Sequence, residues 1–130
     1  MGRPPLHIAA SQEKPEMVEL LLLKGADKDA FYKMRTPLYL VAHEGHVAVT
    51  LALLAAGADV SLRCGPLKSQ VIHAAAKKGH VEILRAVIEQ GADVGALDTH
   101  GRTALHVAAD EKKAEAIHVL VEAGRHRSTE

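Results

Sequence analysis

The chain has 130 residues, with 16 Lys and Arg, 16 Asp and Glu, and 9 His, so its formal net charge is zero. This length fits one domain with a hydrophobic core, and the balanced charge argues against a dedicated nucleic-acid-binding protein. Hydrophobic residues make up 48% of the chain and aromatic residues only 2%. We therefore expect a folded protein whose core consists of Leu, Val, Ile and Ala, a composition that favours helices.

The chain lacks the sequence features expected of a membrane-spanning protein or of a disulfide-bonded secreted protein. The longest aliphatic run, at residues 20–23, is too short for a membrane span or a signal-peptide core. Cys64 is the only cysteine, which excludes a disulfide framework or a cysteine zinc cluster within one chain. We expect a soluble intracellular protein, in cytoplasm or nucleus, without membrane contact.

Three short motifs recur along the chain at nearly constant spacing. Gly-Ala-Asp occurs at residues 25–27, 57–59 and 91–93, and Gly124 follows 33 residues after Gly91. A second block precedes each of these glycines, at residues 4–10, 36–42, 70–76 and 103–109, and Gly-His-Val occurs at 45–47 and 79–81. The chain is therefore four copies of one unit. We place the copies at residues 2–31, 32–64, 65–97 and 98–124, within a single domain of residues 1–130 that ends in a solvated tail at 125–130.

Each copy predicts a helix, a turn, a second helix and an extended loop. Thr36 and Thr103 are suited to cap the first helix, and Pro just inside it presets φ. Gly45 and Gly79 suit the left-handed position after a first helix. Second helices carry an apolar stripe, which recurs at positions 17, 18, 21 and 22, at 83, 84, 87 and 88, and at 116, 117, 120 and 121. The glycines at 25, 57, 91 and 124 are predicted to end them.

The motifs T-P-L-H, G-H and G-A-D at a period of about 33 residues resemble ankyrin repeats, over residues 2–124. The resemblance implies an all-α solenoid of stacked helix pairs with projecting hairpin-like loops, which we call fingers. It also implies a non-catalytic protein-protein interaction module, or scaffold, that needs no cofactor. One unit cannot bury its apolar stripe alone, so stacking of neighbours is expected to supply the stability.

In this architecture, partners are expected to bind the finger tips and the exposed face of the first helices, which together line a concave groove. The tip positions are Arg3, Tyr32, Lys33, Met34, Arg35, Leu67, Lys68, Thr99, His100 and Arg102. The first-helix positions are Ser11, Gln12, His43, Glu44, Lys77, Lys78, Asp110 and Glu111.

Five of the tip residues are basic and none is acidic. We call this set the basic ridge: Arg3, Lys33, Arg35, Lys68 and Arg102. One interpretation is that it selects an acidic or C-terminal peptide segment, with Tyr32 and Met34 as apolar anchors. The other is that it is a solvated edge that maintains solubility.

An apolar patch on the second helices offers a different function. Leu23, Leu51, Ala52 and Ala55 are predicted to lie on the outer face of the first two copies. Such a patch is typical of self-association or of docking onto another part of a larger protein. Of the two oligomeric states, we favour a monomer over a homodimer.

A metal-binding or ligand-binding enzyme fragment is the least favoured alternative. Residues 43–46, His-Glu-Gly-His, do not match the H-E-x-x-H zinc motif. His46 and His80 recur at the helix turn, and the resemblance implies that His7, His73 and His106 form hydrogen bonds within or between repeats. No phosphate loop, nucleophile elbow or catalytic partner for Cys64 is present, and we interpret Cys64 as a surface or half-buried residue, made somewhat reactive at most by Arg63 beside it.

Overall fold

The computed structural model describes the backbone of residues 2–128 and the side chains of residues 2–125. Within that range the chain forms eight helices and no β-strand longer than an isolated bridge, which confirms the all-α prediction. The helices are α1 (Pro5–Ser11), α2 (Pro15–Leu23), α3 (Pro37–Glu44), α4 (Val47–Ala55), α5 (Val71–Lys78), α6 (Val81–Glu89), α7 (Ala104–Asp110) and α8 (Ala114–Ser128).

The helices form two parallel layers that run along the solenoid. In the inner layer α1, α3, α5 and α7 pack in sequential order, and in the outer layer α2, α4, α6 and α8 do the same. Each inner helix also packs on the outer helix that follows it in the chain. The repeated alanines Ala42, Ala76 and Ala108 are fully buried in the inner layer, where their small side chains allow neighbouring helices to approach closely. No described helix combines the length and apolar character needed to cross a membrane.

The helix ends follow the capping chemistry that the sequence predicts. The Tyr39 N–H donates to Thr36 Oγ1 over 3.2 Å, and the His106 N–H donates to Thr103 Oγ1 over 3.3 Å. Gly45 has a φ of +87°, and a Cβ atom added there would lie 2.7 Å from the ring of His80. Glycine is therefore needed at this turn both for its backbone conformation and for the close approach of the next repeat.

Two details of the helix predictions are wrong. Gly124 does not end the last helix, because α8 continues to Ser128. Glycine permits a reversal but does not impose one, and Arg125 instead forms an i,i+3 ion pair with Glu122 at 3.5 Å that supports a further turn. The predicted tail is thus helical at 125–128, and residues 129 and 130 lie outside the described residues. Met17 and Val121 also leave the predicted core stripes, with 47% and 36% of their surface exposed. For Met17 the reason is that α2 is the first helix of the outer layer, so that among the described helices it packs on α1 and α4 and has no preceding outer helix beside it.

The three described fingers are short hairpins that are hydrogen-bonded to one another. Finger 1 is residues 25–36, finger 2 is residues 57–70 and finger 3 is residues 91–103. The Gly65 N–H donates to Met34 O over 2.9 Å, and the Thr99 N–H donates to Leu67 O over 2.8 Å. Each finger therefore holds the next in position along the side of the inner helices.

Candidate binding site

A cleft of about 270 Å³ lies between the fingers and the inner helices of the second, third and fourth repeats. The structure brings together there six residues that the sequence predicted: Arg35, His43, Leu67, Lys77, Arg102 and Glu111. The other lining residues are Tyr39, Cys64, Gly65, Pro66, Ser69, His73, Ala74, Asp98 and Val107. These six of the predicted finger and helix positions thus meet at one place on the concave face.

Buried histidines of the inner helices fix the backbone of two arginines of the fingers. His7 Nε2 donates to Arg35 O, and His73 Nε2 donates to Arg102 O, each over 3.0 Å. These bonds bear out the structural role that the family resemblance implies for the histidines, and they position both arginines at the rim of the cleft.

The other ring nitrogen of these histidines depends on the residue before the helix. In α5 the Gln70 N–H donates to His73 Nδ1 over 3.1 Å. In α1 the corresponding residue is Pro4, which has no N–H, and the buried His7 Nδ1 accordingly has no hydrogen-bond partner among the described residues.

Asp98 forms an ion pair with Arg102, and this contradicts the prediction that the five tip residues form a uniformly basic ridge. Its side chain is 1% exposed, and Oδ2 accepts a hydrogen bond from Arg102 Nε over 3.1 Å. Oδ1 accepts the backbone N–H groups of His100 and Arg102, over 2.9 and 3.0 Å. Arg102 also lies 3.7 Å from Asp110. The Arg102 charge is therefore neutralised within the protein, and the ridge is not uniformly basic.

The electrostatics of Asp98 follow from the same contacts. Burial alone raises the pKa of this carboxyl group, but the N–H groups of Arg102 and His100 and the Arg102 charge outweigh burial and lower the pKa. Sequence reasoning missed Asp98 because it considered only the finger tips. The signal was the Asp-Thr-His-Gly stretch at residues 98–101, since Asp at the start of a turn accepts backbone hydrogen bonds.

The wall of the cleft opposite Asp98 and Arg102 carries the positive charges of Arg35 and Lys77. Arg35 lies over the ring of Tyr39 at 5.9 Å, and in the described part of the chain neither Arg35 nor Lys77 forms an ion pair. The pKa of His43 is lowered, first by burial and then by the positive charges of Arg35, Lys78 and Lys77. The carboxylate of a partner would therefore enter a positive potential on this side.

Apart from Arg35, the predicted tip residues of finger 1 lie outside the cleft. Tyr32 packs against His7 with ring centroids 5.8 Å apart, and Lys33 Nζ lies 5.6 Å from the Tyr32 ring. Met34 is 54% exposed, and both Lys33 and Met34 have positive φ, at +51° and +68°. Arg3, Lys68, Lys78 and His100 are likewise exposed without lining the cleft.

Two further predicted residues have their polar groups engaged within the protein. Thr99 donates both its N–H and its hydroxyl to Leu67 O, the hydroxyl over 2.6 Å. Glu44 accepts from Ser11 over 3.2 Å and lies 3.1 Å from His46. These two residues connect neighbouring repeats, and their polar atoms are less available to a partner.

Cys64 was predicted to lie at the surface or half-buried, and that prediction is wrong. The residue is 2% exposed, because the hairpin pairing of Cys64 with Ser69 turns the thiol inward toward Thr36, with Sγ 3.9 Å from Oγ1. Burial raises the pKa of the thiol, which makes it less reactive. Arg63, which was expected to activate it, instead donates to Lys68 O and Leu97 O.

The histidines of the helix turns pack between repeats. His46 Nδ1 lies 2.9 Å from Glu13, and its Nε2 faces Glu44, whereas His80 Nε2 donates to His43 O over 3.3 Å. Among the described residues, no three His, Cys, Asp or Glu side chains converge in a set that could hold a metal ion.

Comparison with known families identifies the repeat. A family model described as ankyrin repeats, in three copies, matches residues 1–64 and again residues 62–129. Repeats of this kind generally act in protein-protein interaction and are generally not enzymes. Together with the stacked helix pairs, the glycine turns and the projecting fingers, these matches establish that the chain belongs to the ankyrin-repeat family.

Proposed function

We propose that this chain is a non-catalytic scaffold or adaptor module that binds an extended segment of a partner protein in the concave cleft. The observation that carries the proposal is the convergence of Arg35, His43, Leu67 and Lys77 around one cleft of about 270 Å³. That volume lies just below the usual range for small-molecule pockets, about 300–1,000 Å³. It therefore suits one or two side chains of a docked segment.

The preorganisation of the cleft supports this function. Hydrogen bonds between fingers and from the inner-layer histidines to the finger backbone hold Arg35 and Leu67 in place before a partner arrives. A surface that is already ordered loses less conformational entropy when it binds. Modest contacts with a partner can then give a useful affinity.

The charge of one wall supports an acidic segment. Arg35 and Lys77 have no acidic partner within the described chain, and Arg35 offers a guanidinium that can bind a carboxylate in bidentate fashion. Leu67 supplies apolar contact beside them. The module needs no cofactor, and its unpaired buried thiol at Cys64 suits a reducing intracellular compartment.

Selection from a random peptide library tests the proposal. Peptides enriched on the wild-type protein are expected to contain Asp or Glu. Lys77→Ala is expected to weaken the binding of these peptides by about threefold to tenfold. Lys24→Ala is the matched control, because Lys24 is an exposed lysine that does not line the cleft. The proposal fails if no peptide is enriched, or if both lysine variants bind the enriched peptides as tightly as the wild type.

Self-association through the outer helices is the second candidate. Leu23 is 82% exposed and Leu51 is 50% exposed, which favours an apolar contact on this face. The cleft proposal expects a monomer in light scattering at high concentration. A dimer that Leu23→Glu dissociates would instead support the second candidate.

A further inference from the structure

The cleft is divided by charge along the solenoid. The exposed end of α5 carries Lys77 and Lys78, whereas the end of α7 carries Asp110 and the following residue Glu111. Lys77 and Glu111 line the same cleft. The two neighbouring inner helices therefore present opposite charges to one ligand.

The two cleft arginines reinforce this division, although they occupy equivalent positions. Each precedes the N-cap of an inner helix and has its carbonyl bonded to a histidine. In finger 3 the residue paired with Arg102 across the hairpin is Asp98, whose N–H donates to Arg102 O over 3.0 Å. In finger 1 the residue in that position is Tyr32, whose N–H donates to Arg35 O over 2.9 Å.

The consequence is a different charge balance on each side. Among the residues that line the cleft, Asp98 cancels Arg102, so Glu111 remains as the unpaired negative charge on the side of the fourth repeat. Tyr32 has no charge to cancel Arg35, so Arg35 and Lys77 leave a positive surplus at the second and third repeats. An entirely acidic ligand would be attracted by Arg35 and Lys77 and repelled by Glu111.

We infer that the cleft selects a segment of mixed charge, with an acidic residue against Arg35 and Lys77 and a basic residue against Glu111. This inference rests on the proposed function, because it names the chemistry of the segment that the cleft binds. Adjacent packed helices are about 8–10 Å apart, and an extended segment advances about 3.3 Å per residue. The acidic and basic residues are therefore about three positions apart.

Three capped peptides test the inference by fluorescence anisotropy at low ionic strength. The mixed probe is Gly-Glu-Glu-Leu-Lys-Lys-Gly, the acidic probe is Gly-Glu-Glu-Leu-Glu-Glu-Gly, and the neutral probe has Gln at all four charged positions. We expect the mixed probe to bind about three- to tenfold more tightly than the acidic probe, given the usual strength of exposed ion pairs. That preference is expected to vanish near 1 M salt, where the Debye length is about 3 Å.

A charge reversal in the cleft provides the matched comparison. Glu111→Lys is expected to make the acidic probe the tighter ligand, and a lysine at this helix C-terminus is compatible with the fold. Glu89→Lys reverses an exposed charge at the end of α6, outside the cleft, and is expected to keep the wild-type order.

The following results would overturn the inference. It is wrong if the mixed probe binds no more tightly than the acidic one, or if Glu111→Lys leaves their ratio unchanged. It is also wrong if none of the three probes binds although library peptides do, and in that case the proposed function stands. If the library yields no peptide either, both are wrong.

Discussion

Replacing Asp98 tests whether a buried ion pair in finger 3 supports the fold. In Asp98→Asn, the remaining oxygen still accepts the N–H groups of His100 and Arg102, which lie 2.9 and 3.0 Å from Oδ1 in the wild type. The new amide group replaces the oxygen that Arg102 Nε now contacts at 3.1 Å, so two donors face each other. The variant therefore loses the charge-assisted bond and keeps the two backbone bonds.

The magnitude follows from the bonds that are removed. A hydrogen bond to a charged group contributes about 1.5–3 kcal/mol, and we expect Asp98→Asn to lower the free energy of unfolding by about 1.5–2.5 kcal/mol because Arg102 is partly solvated. Asp98→Ala removes all three bonds and is expected to cost about 3–4 kcal/mol. Urea denaturation followed by circular dichroism measures both.

Asp27→Ala is the control for a surface turn. Asp27 accepts one N–H, from Asp29 over 3.0 Å, at an exposed position, and its loss is expected to cost at most about 1 kcal/mol. If Asp98→Asn proves as stable as the wild type, or if Asp27→Ala costs as much as Asp98→Ala, the structural role of the pair is refuted.

The pH dependence provides an independent check of the same pair. Since the pKa of Asp98 is depressed in the folded protein, its carboxylate contributes stability above the pKa of the unfolded chain, about 3.9. That contribution is lost as the pH falls from there through the folded-state pKa. The stability gap between wild type and Asp98→Asn should therefore be full at neutral pH and narrow below about pH 4. A gap that is unchanged at low pH would contradict the assignment.

Three further predictions concern single positions of the repeat. Lys112 has a φ of +57° where the second and third repeats have glycine. Lys112→Gly should therefore raise the free energy of unfolding by up to about 1 kcal/mol, whereas Gly45→Ala should lower it by about 2 kcal/mol or more. Equal effects of the two variants in urea denaturation would contradict this. Pro4→Thr supplies a hydroxyl cap and an N–H for the unpartnered histidine nitrogen of α1, and should stabilise the protein by about 1–2 kcal/mol; a lower urea midpoint would count against it. The pKa of His43 lies below its ordinary value, so protonation below about pH 6.5 opposes folding. Lys77→Gln should raise that pKa in an NMR titration, and an unchanged value would show that Lys77 does not act on the ring.

Most of the fold could be predicted from the sequence because the repeat constrains backbone geometry locally. Thr36 and Gly45 have counterparts at the same repeat positions, Thr103 and Gly79, and their capping and turn chemistry depends on neighbours a few residues away. Gly124 matched the same pattern, yet α8 passes through it. Whether the helix ends at this glycine depends on the stability of the following turn. The presence of a glycine at the expected position does not predict that stability.

The cleft could be predicted only in part. Lys77 and Glu111 were identified as exposed positions of inner helices, but the sequence places them 34 residues apart, and only the stacking of α5 on α7 brings them to one cleft. Cys64 was misplaced for a related reason. Its burial depends on contact with Thr36 in the neighbouring finger, and this contact has no signature in the residues adjacent to Cys64.

The arginines show why charge counted from sequence does not give the charge available to a partner. Arg35 and Arg102 are equivalent in the repeat, and both were assigned to one basic ridge. Because Asp98 pairs with Arg102 across its hairpin and Tyr32 takes that place beside Arg35, one arginine stabilises a finger and the other remains accessible to a ligand. Positions that repeat faithfully specify the scaffold, so the specificity of this module has to arise where equivalent positions differ. Around this cleft such differences arise at Tyr32 against Asp98 in the fingers, and at Lys77 against Asp110 and Lys78 against Glu111 on the inner helices.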